Sequence, residues 1–271
     1  MLKRDGHVHS PFCPHGSKDE FRHYIEELCK KGFQSVTFTE HAPLPPSFSD
    51  PTPQKDSAMP MSDLERYFES LQHLKEEYKG QIDVLIGLEV DYIRAYEAEI
   101  KTFLDTYGTF LDDSILSVHF LPAGSSSHIC LDYDEDAFQN LIRCCGSIEQ
   151  VYLAYYQEIF SSIVSSLGPF KPKRIGHITL VKKFVKIFPY TISAPVRELV
   201  SSCIAEAGKR GLELDFNTSG LRKPQAGEVY LEDWMMEEAQ QKNIPLVFGS
   251  DAHQAKDAGF GYECFERRCA K

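Results

Sequence analysis

Histidines and carboxylates recur in this chain at spacings that suit metal binding. His7 and His9 are two apart in Gly-His-Val-His, so on a strand both imidazoles project to one face. The same spacing relates Glu89 to Asp91 in Gly-Leu-Glu-Val-Asp, and Asp251 to His253 in Gly-Ser-Asp-Ala-His. His41 ends Thr-Glu-His, His119 closes Ser-Val-His-Phe, His177 closes Ile-Gly-His-Ile, and His15 stands in the loop after the first pair. Imidazole mixed with carboxylate suits Zn, Mn or Fe rather than Mg or Ca. Asp91 apart, nine such groups exceed the needs of one ion but divide among two or three. Taken singly, each has a structural explanation: Asp251 could cap a helix, Glu89 could pair with a cation, and a lone histidine usually hydrogen-bonds. Those explanations do not account for their joint placement at strand ends.

The elements that must position them alternate. Short apolar or β-branched runs predict strands at 6–9, 35–39, 83–91, 114–120, 174–178, 213–217 and 246–250. Stretches of helical period fall between them at 18–31, 62–78, 95–107, 148–167, 194–209 and 231–242. In the first helix Phe21, Ile25, Leu28 and Cys29 share one side, and Lys30, Lys31 and Gly32 mark its end. This alternation predicts an α/β fold, a parallel sheet with helical crossovers closed into a barrel of seven β/α units. In such barrels the carboxyl ends of the strands form one rim, where active sites are built. All but the sixth strand end there in a ligand-type residue. Two long connections, 42–61 and 121–136, follow strand ends, and the second contains a Gly-Ser-Ser-Ser run.

The chain has 271 residues, 42% hydrophobic and 25% charged, enough for one large domain with a sizeable core. No apolar stretch of signal-peptide length follows the opening MLKRDGHVHSPF, and no run approaches the roughly 20 residues of a membrane helix, so a soluble cytoplasmic protein is expected. A formal charge of −11 without a long basic run disfavours a nucleic-acid polymer and suits a small phosphorylated metabolite. The eight cysteines form no CxxC pair and are expected to be mostly buried structural thiols. His23, His73 and His128 are expected in solvent.

With these residues in this order, the chain resembles the polymerase-and-histidinol-phosphatase (PHP) superfamily. Its motifs read here as His7-Val-His9, His41, Glu89, His119, His177 and Asp251-Ala-His253. The strings DGHVHSPFCPHG, TEHAPLP, GLEVDYI, DDSILSVHFL, GHITLVKKF, NTSGLRKP and FGSDAH are most similar to the monofunctional histidinol-phosphate phosphatases. The resemblance implies a distorted (β/α)7 barrel forming one domain over 1–271, with two or three divalent transition-metal ions. It implies that His7, His9, Glu89 and Asp251 hold one ion, that Glu89 bridges to a second shared with His119 and His177, and that His15, His41 and His253 hold a third. The implied substrate is a small phosphate ester, L-histidinol phosphate, attacked by a hydroxide bridging two ions, with Glu89 and Asp251 as the catalytic carboxylates. A nucleotide or phosphotyrosine ester is the alternative. Thr179 and Lys182 stand where the family pattern carries Asp and Arg. Arg222 is the first candidate for a phosphate clamp, because its fork matches phosphate oxygens, and Lys182 is the second. Asp91, Glu228 and Phe120 are candidates for contacting the imidazole and amine.

Overall fold

The computed structural model describes residues 2–124 and 127–269. Ser125 and Ser126 of the Gly-Ser-Ser-Ser run lie outside that range. The apolar runs form β1 (Arg4–Val8), β2 (Ser35–His41), β3 (Asp83–Asp91), β4 (Ile115–Ser117), β5 (Phe120–Pro122), β6 (His128–Cys130), β7 (Arg174–Ile175), β8 (Glu213–Asn217) and β9 (Leu246–Gly249). Seven of these build one sheet in the order β1-β2-β3-β4-β7-β8-β9, every neighbouring pair parallel. Parallel strands covered on both faces read as continuous apolar runs, and β2 is buried along its whole length.

The sheet rolls up until its edges meet. A parallel bridge joins Val8 to Ala252. The Asp251 amide donates to the His7 carbonyl at 2.7 Å, and the His9 amide to the Ala252 carbonyl at 3.0 Å. The result is a nearly closed seven-stranded barrel. Its distortion is local: β1 shifts register between Asp5 and Val8, and β7 pairs over only two residues. The strand expected at 174–178 stops early, and Gly176 packs so tightly on β4 that a Cβ there would collide with Ser117 Oγ.

Among the described residues eight helices accompany the strands: α1 (Phe21–Lys30), α2 (Leu64–Glu77), α3 (Glu97–Tyr107), α4 (Glu135–Cys145), α5 (Ile148–Val164), α6 (Ala194–Lys209), α7 (Asp233–Gln241) and α8 (Tyr262–Cys269). The strand expected over 114–120 breaks at Ser117, and the chain then forms the antiparallel hairpin β5–β6. Helix α4 begins inside the stretch expected to be loop. Its signal is a cap, with the Asp134 side chain accepting from the Ala137 amide at one end and Gly146 at φ +89° at the other.

At the amino-terminal end of the barrel the interior is filled by Arg174, a fully buried side chain. It donates to the Gly6 carbonyl at 2.6 Å and pairs with Asp113, which also binds Arg4. Two expectations need correction here. Of the cysteines only Cys13, Cys130 and Cys203 are buried; Cys29 and Cys144 are exposed on outer helix faces, Cys145, Cys264 and Cys269 are half-buried against the edge of the core, and all eight are free thiols. His128 lies in β6 against Phe48, ring centroids 5.2 Å apart, and burial lowers its pKa. Among the described residues no helix is long and apolar enough to cross a membrane.

Candidate metal centre

The parallel register of β2 and β3 sets His41 beside Glu89 at the carboxyl end of the barrel. Glu89 is buried, and its two oxygens face different groups. Oε1 lies 2.9 Å from His177 Nε2 and 3.7 Å from His119 Nε2, and accepts from Ser117 Oγ at 2.6 Å. Oε2 lies 3.3 Å from His7 Nε2, 3.5 Å from His9 Nε2 and 3.3 Å from His41 Nδ1. Across from it, Asp251 Oδ1 is 3.2 Å from His9 Nε2, 3.8 Å from His7 Nε2 and 3.5 Å from His253 Nδ1. Side chains from both ends of the chain therefore meet in one cluster.

The imidazoles are held by carboxylates on their outer nitrogens. His7 Nδ1 donates to Asp215 at 2.8 Å, His9 Nδ1 to Glu40 at 3.3 Å, and His119 Nδ1 to Asp91 at 2.7 Å. A proton fixed on Nδ1 leaves the Nε2 lone pair pointing inward, the usual arrangement behind a metal-binding histidine. Inward atoms are then short of partners: His9 Nε2 and His41 Nδ1 are buried with no hydrogen bond. His119 Nε2 and His177 Nε2 lie 3.1 Å apart, converging beside Glu89. The donor atoms fall into tight groups, among them His7, His9 and Glu89; Glu89, His119 and His177; and His9, Cys13, His41 and His253. A divalent transition metal fits these residues better than hydrogen bonding does.

The charges agree. Burial alone would lower His9, yet Asp251 and Glu40 raise its pKa to about 9. Burial is likewise overcome at His119, where Asp91 and Glu89 raise it to about 10. Burial favours protonated Glu89, but His7, His41 and His119 hold it well below the carboxylate range. Asp251 is held low against burial by His7, His9 and His253. Burial and the nearby His9 charge push His41 and His253 well below ordinary imidazole. Protons here balance carboxylates that cations could balance instead.

Asp251 adopts φ +51°, left-handed backbone that a non-glycine residue rarely takes. This turn directs its N–H at His7 and its carboxylate at the cluster, where Oδ2 accepts from Asn217 Nδ2 at 3.2 Å and Ser219 Oγ at 3.0 Å. Backbone strain of this kind concentrates at functional sites.

Above the cluster opens a cavity of about 300 Å³, walled by residues that include Phe120, Tyr133, Tyr230, Asp132, Lys183 and Lys223. Of the sequence candidates, His7, His9, His41, Glu89, His119, His177, Asp251 and His253 are brought together. His15 joins them at the mouth, its ring centroid 5.2 Å from that of His41 and 5.1 Å from that of His253, with Nδ1 donating to the Asp56 carbonyl at 2.8 Å. Arg222 and Lys182 are not on the cavity wall. Arg222 donates to the Ser250 and Asp251 carbonyls at 2.9 and 3.0 Å, bracing the turn beneath the site. Lys182 is engaged by Glu228 at 2.5 Å and Glu232 at 2.9 Å, which also turns Glu228 away from the cavity. Their neighbours in sequence, Lys183 and Lys223, line the cavity instead, Lys183 paired with Asp132 at 3.1 Å. Asp91 and Phe120 both line the cavity, and Asp91 also accepts from His119 Nδ1.

Comparison with known proteins places this arrangement among relatives. The PHP domain family model matches residues 5–219. The chain is 65% identical over 269 residues to the histidinol-phosphatase of Bacillus subtilis strain 168, covering 99% of this chain and 100% of that protein. The crystal structure of a protein assigned as a histidinol phosphatase from Listeria monocytogenes superposes with a TM-score of 0.93 at 37% identity, covering 97% of this chain and 100% of that one. The histidinol phosphate phosphatase of Lactococcus lactis, solved with zinc, L-histidinol and phosphate, shares the fold with a TM-score of 0.71 at 20% identity, over 98% of this chain and 94% of that one.

Proposed function

This chain belongs to the PHP domain family, and from that premise we propose that it is a metal-dependent phosphatase hydrolysing L-histidinol phosphate to L-histidinol and phosphate. The observation that carries the reading is Glu89, whose oxygens are shared between His119 and His177 on one side and His7, His9 and His41 on the other. The Bacillus subtilis histidinol-phosphatase, matched along its full length, supports the substrate. His7, His9, Glu89 and Asp251 would hold one ion, Glu89, His119 and His177 a second, and His15, His41 and His253 a third, with zinc, manganese or iron as candidates. When bound, such ions supply Lewis acidity and a nucleophile at neutral pH.

The chain's own groups do the rest. Lys183 and Lys223, on the cavity wall, bind phosphoryl oxygens as point charges. Asp91, Glu40 and Asp215 keep the imidazoles in one tautomer, so that no reorganisation is needed at the moment of reaction. Asp251, held ionised, acts as a ligand rather than as the proton donor to the leaving alkoxide. Phe120 and Tyr133 offer the flat apolar surface that the substrate's imidazole requires.

The test is phosphate release by metal-loaded protein from L-histidinol phosphate, nucleoside monophosphates and p-nitrophenyl phosphate. Metal-dependent turnover is expected with kcat/KM highest for L-histidinol phosphate. Equal or better turnover of the nucleotides would overturn the substrate, and hydrolysis unaffected by chelation would overturn the chemistry.

A further inference from the structure

Of the clustered histidines His15 alone is exposed. His7, His9 and His119 are braced from behind by Asp215, Glu40 and Asp91, carboxylates carried on barrel strands. His15 Nδ1 instead donates to a backbone carbonyl, that of Asp56, at 2.8 Å. This carbonyl belongs to the long connection after β2, so the aim of this imidazole depends on how that connection is held.

The connection leaves the barrel and returns to it at nearly the same place. The Ala42 amide donates to the Glu89 carbonyl at 2.8 Å, and the Met59 amide to the His41 carbonyl at 3.2 Å. Between these anchors the chain is gathered around Asp50. One of its carboxylate oxygens accepts from the Thr52 amide and hydroxyl, both at 2.8 Å. The other accepts from the Ser57 amide at 3.1 Å and the Ser57 hydroxyl at 2.6 Å. The Ser57 amide and the Asp56 carbonyl are two sides of one peptide group. A trans peptide is planar, with its N–H and C=O pointing in opposite directions. Asp50 therefore grips one edge of this rigid plate while His15 is held at the other. Turning the plate out of line breaks both bonds at once.

Building on the metal-dependent reading above, we propose that Asp50 is a positioning residue for the ion held by His15, His41 and His253, acting through the 56–57 peptide group. A proton kept on His15 Nδ1 by the Asp56 carbonyl leaves the Nε2 lone pair for the ion. Coupling of this kind is reciprocal. The ion fixes His15, His15 fixes the plate, and the plate fixes the segment whose Thr52, Asp56 and Ser57 line the cavity. Filling this one position and ordering that wall of the cavity are a single equilibrium.

Zinc titrated into the metal-free full-length chain, in competition with a chromophoric chelator, tests this as a double-mutant cycle. His15→Ala identifies the binding step that belongs to this position. Asp50→Ala is expected to weaken that same step about tenfold, the low end for loss of a supporting partner, and to leave the other steps unchanged. In the His15→Ala background it should add nothing further. Hydrogen exchange at the Ser57 amide should slow as that step fills in the unchanged chain, and should not respond to zinc in His15→Ala. An unaltered step in Asp50→Ala, losses that add in the double variant, or equal weakening of every step overturns the positioning role and leaves the phosphatase reading intact. No zinc uptake by the unchanged chain overturns both. If Asp50→Ala fails to fold, the exchange measurement decides, and Ser57 protection indifferent to that ion is fatal to the inference.

Discussion

A histidine binds a cation through whichever ring nitrogen lacks a proton, so the group holding the other nitrogen determines how good a ligand it is. Asp215 holds that position for His7. Asp215→Asn is expected to lower metal affinity about 10–100-fold with the fold unchanged, measured by competition against a chromophoric chelator. Unaltered affinity would mean that Asp215 is only filling space. Protons compete for the same sites. Without metal, His9 keeps its proton up to about pH 9 and His119 up to about pH 10, both above the reference of about 6.5. Each such proton must leave as the ion enters, so affinity should rise between pH 7 and 9, by roughly tenfold per pH unit for each proton expelled. Zinc added to weakly buffered protein at pH 7 should acidify the solution, and an affinity flat across that range would refute the coupling. The convergence of the inward groups was legible because imidazoles and carboxylates at strand ends have few other uses. Asp215 and Glu40 were not singled out, although alternation in Glu-Leu-Asp-Phe-Asn puts Asp215 on the same inner face as Asn217, a signal that was available. Arg222 and Lys182 were misleading because periodicity does not say where a loop cation points.

Connections are where these elements leave most to be decided by tertiary contacts. The stretch 42–61 has no helix or strand period, yet it is ordered by one side chain. Asp50 accepts from the Thr52 amide at 2.8 Å, the Ser57 amide at 3.1 Å and both hydroxyls. Thr52, Asp56 and Ser57 from this loop reach the cavity wall. Burial would raise the Asp50 pKa, but the hydroxyls and amides of Ser57 and Thr52 hold it below the usual value. A depressed carboxylate stabilises the fold above its unfolded pKa, about 3.9, and loses that contribution as pH falls through the folded value. Protection of the Thr52 and Ser57 amides from hydrogen exchange should therefore persist at pH 5 and disappear in stronger acid. Asp50→Ala should remove it already at pH 7; protection that survives the substitution would assign the order to other contacts. Strand positions were readable from apolar runs bounded by glycine, and six helices from their period. The hairpin β5–β6 was missed because each strand is only three residues long, whereas α4 does carry a helical period in Phe138, Leu141, Ile142 and Cys145 that was not singled out, and α8 is short.

The barrel as a whole depends on a charged plug. Arg174 spans from β7 to the Gly6 carbonyl on β1, with Asp113 between it and Arg4. Removing one partner of a buried pair leaves an uncompensated charge and costs about 3–5 kcal/mol. Asp113→Ala is expected to cost on that order, seen as a lower urea midpoint with an unchanged slope, and a midpoint that stays put would show the plug to be dispensable. Closure at the other end is lighter, a bridge from Val8 to Ala252 and hydrogen bonds from Asp251 and His9. The same few residues carry the metal donors. During synthesis, then, His7 and His9 emerge early and wait while more than two hundred residues follow before Asp251 and His253 arrive. A nascent chain can neither shut the cylinder nor complete the cluster around His7 and His9 until the last strand is out of the ribosome, so closing the barrel and completing that cluster are a single late event.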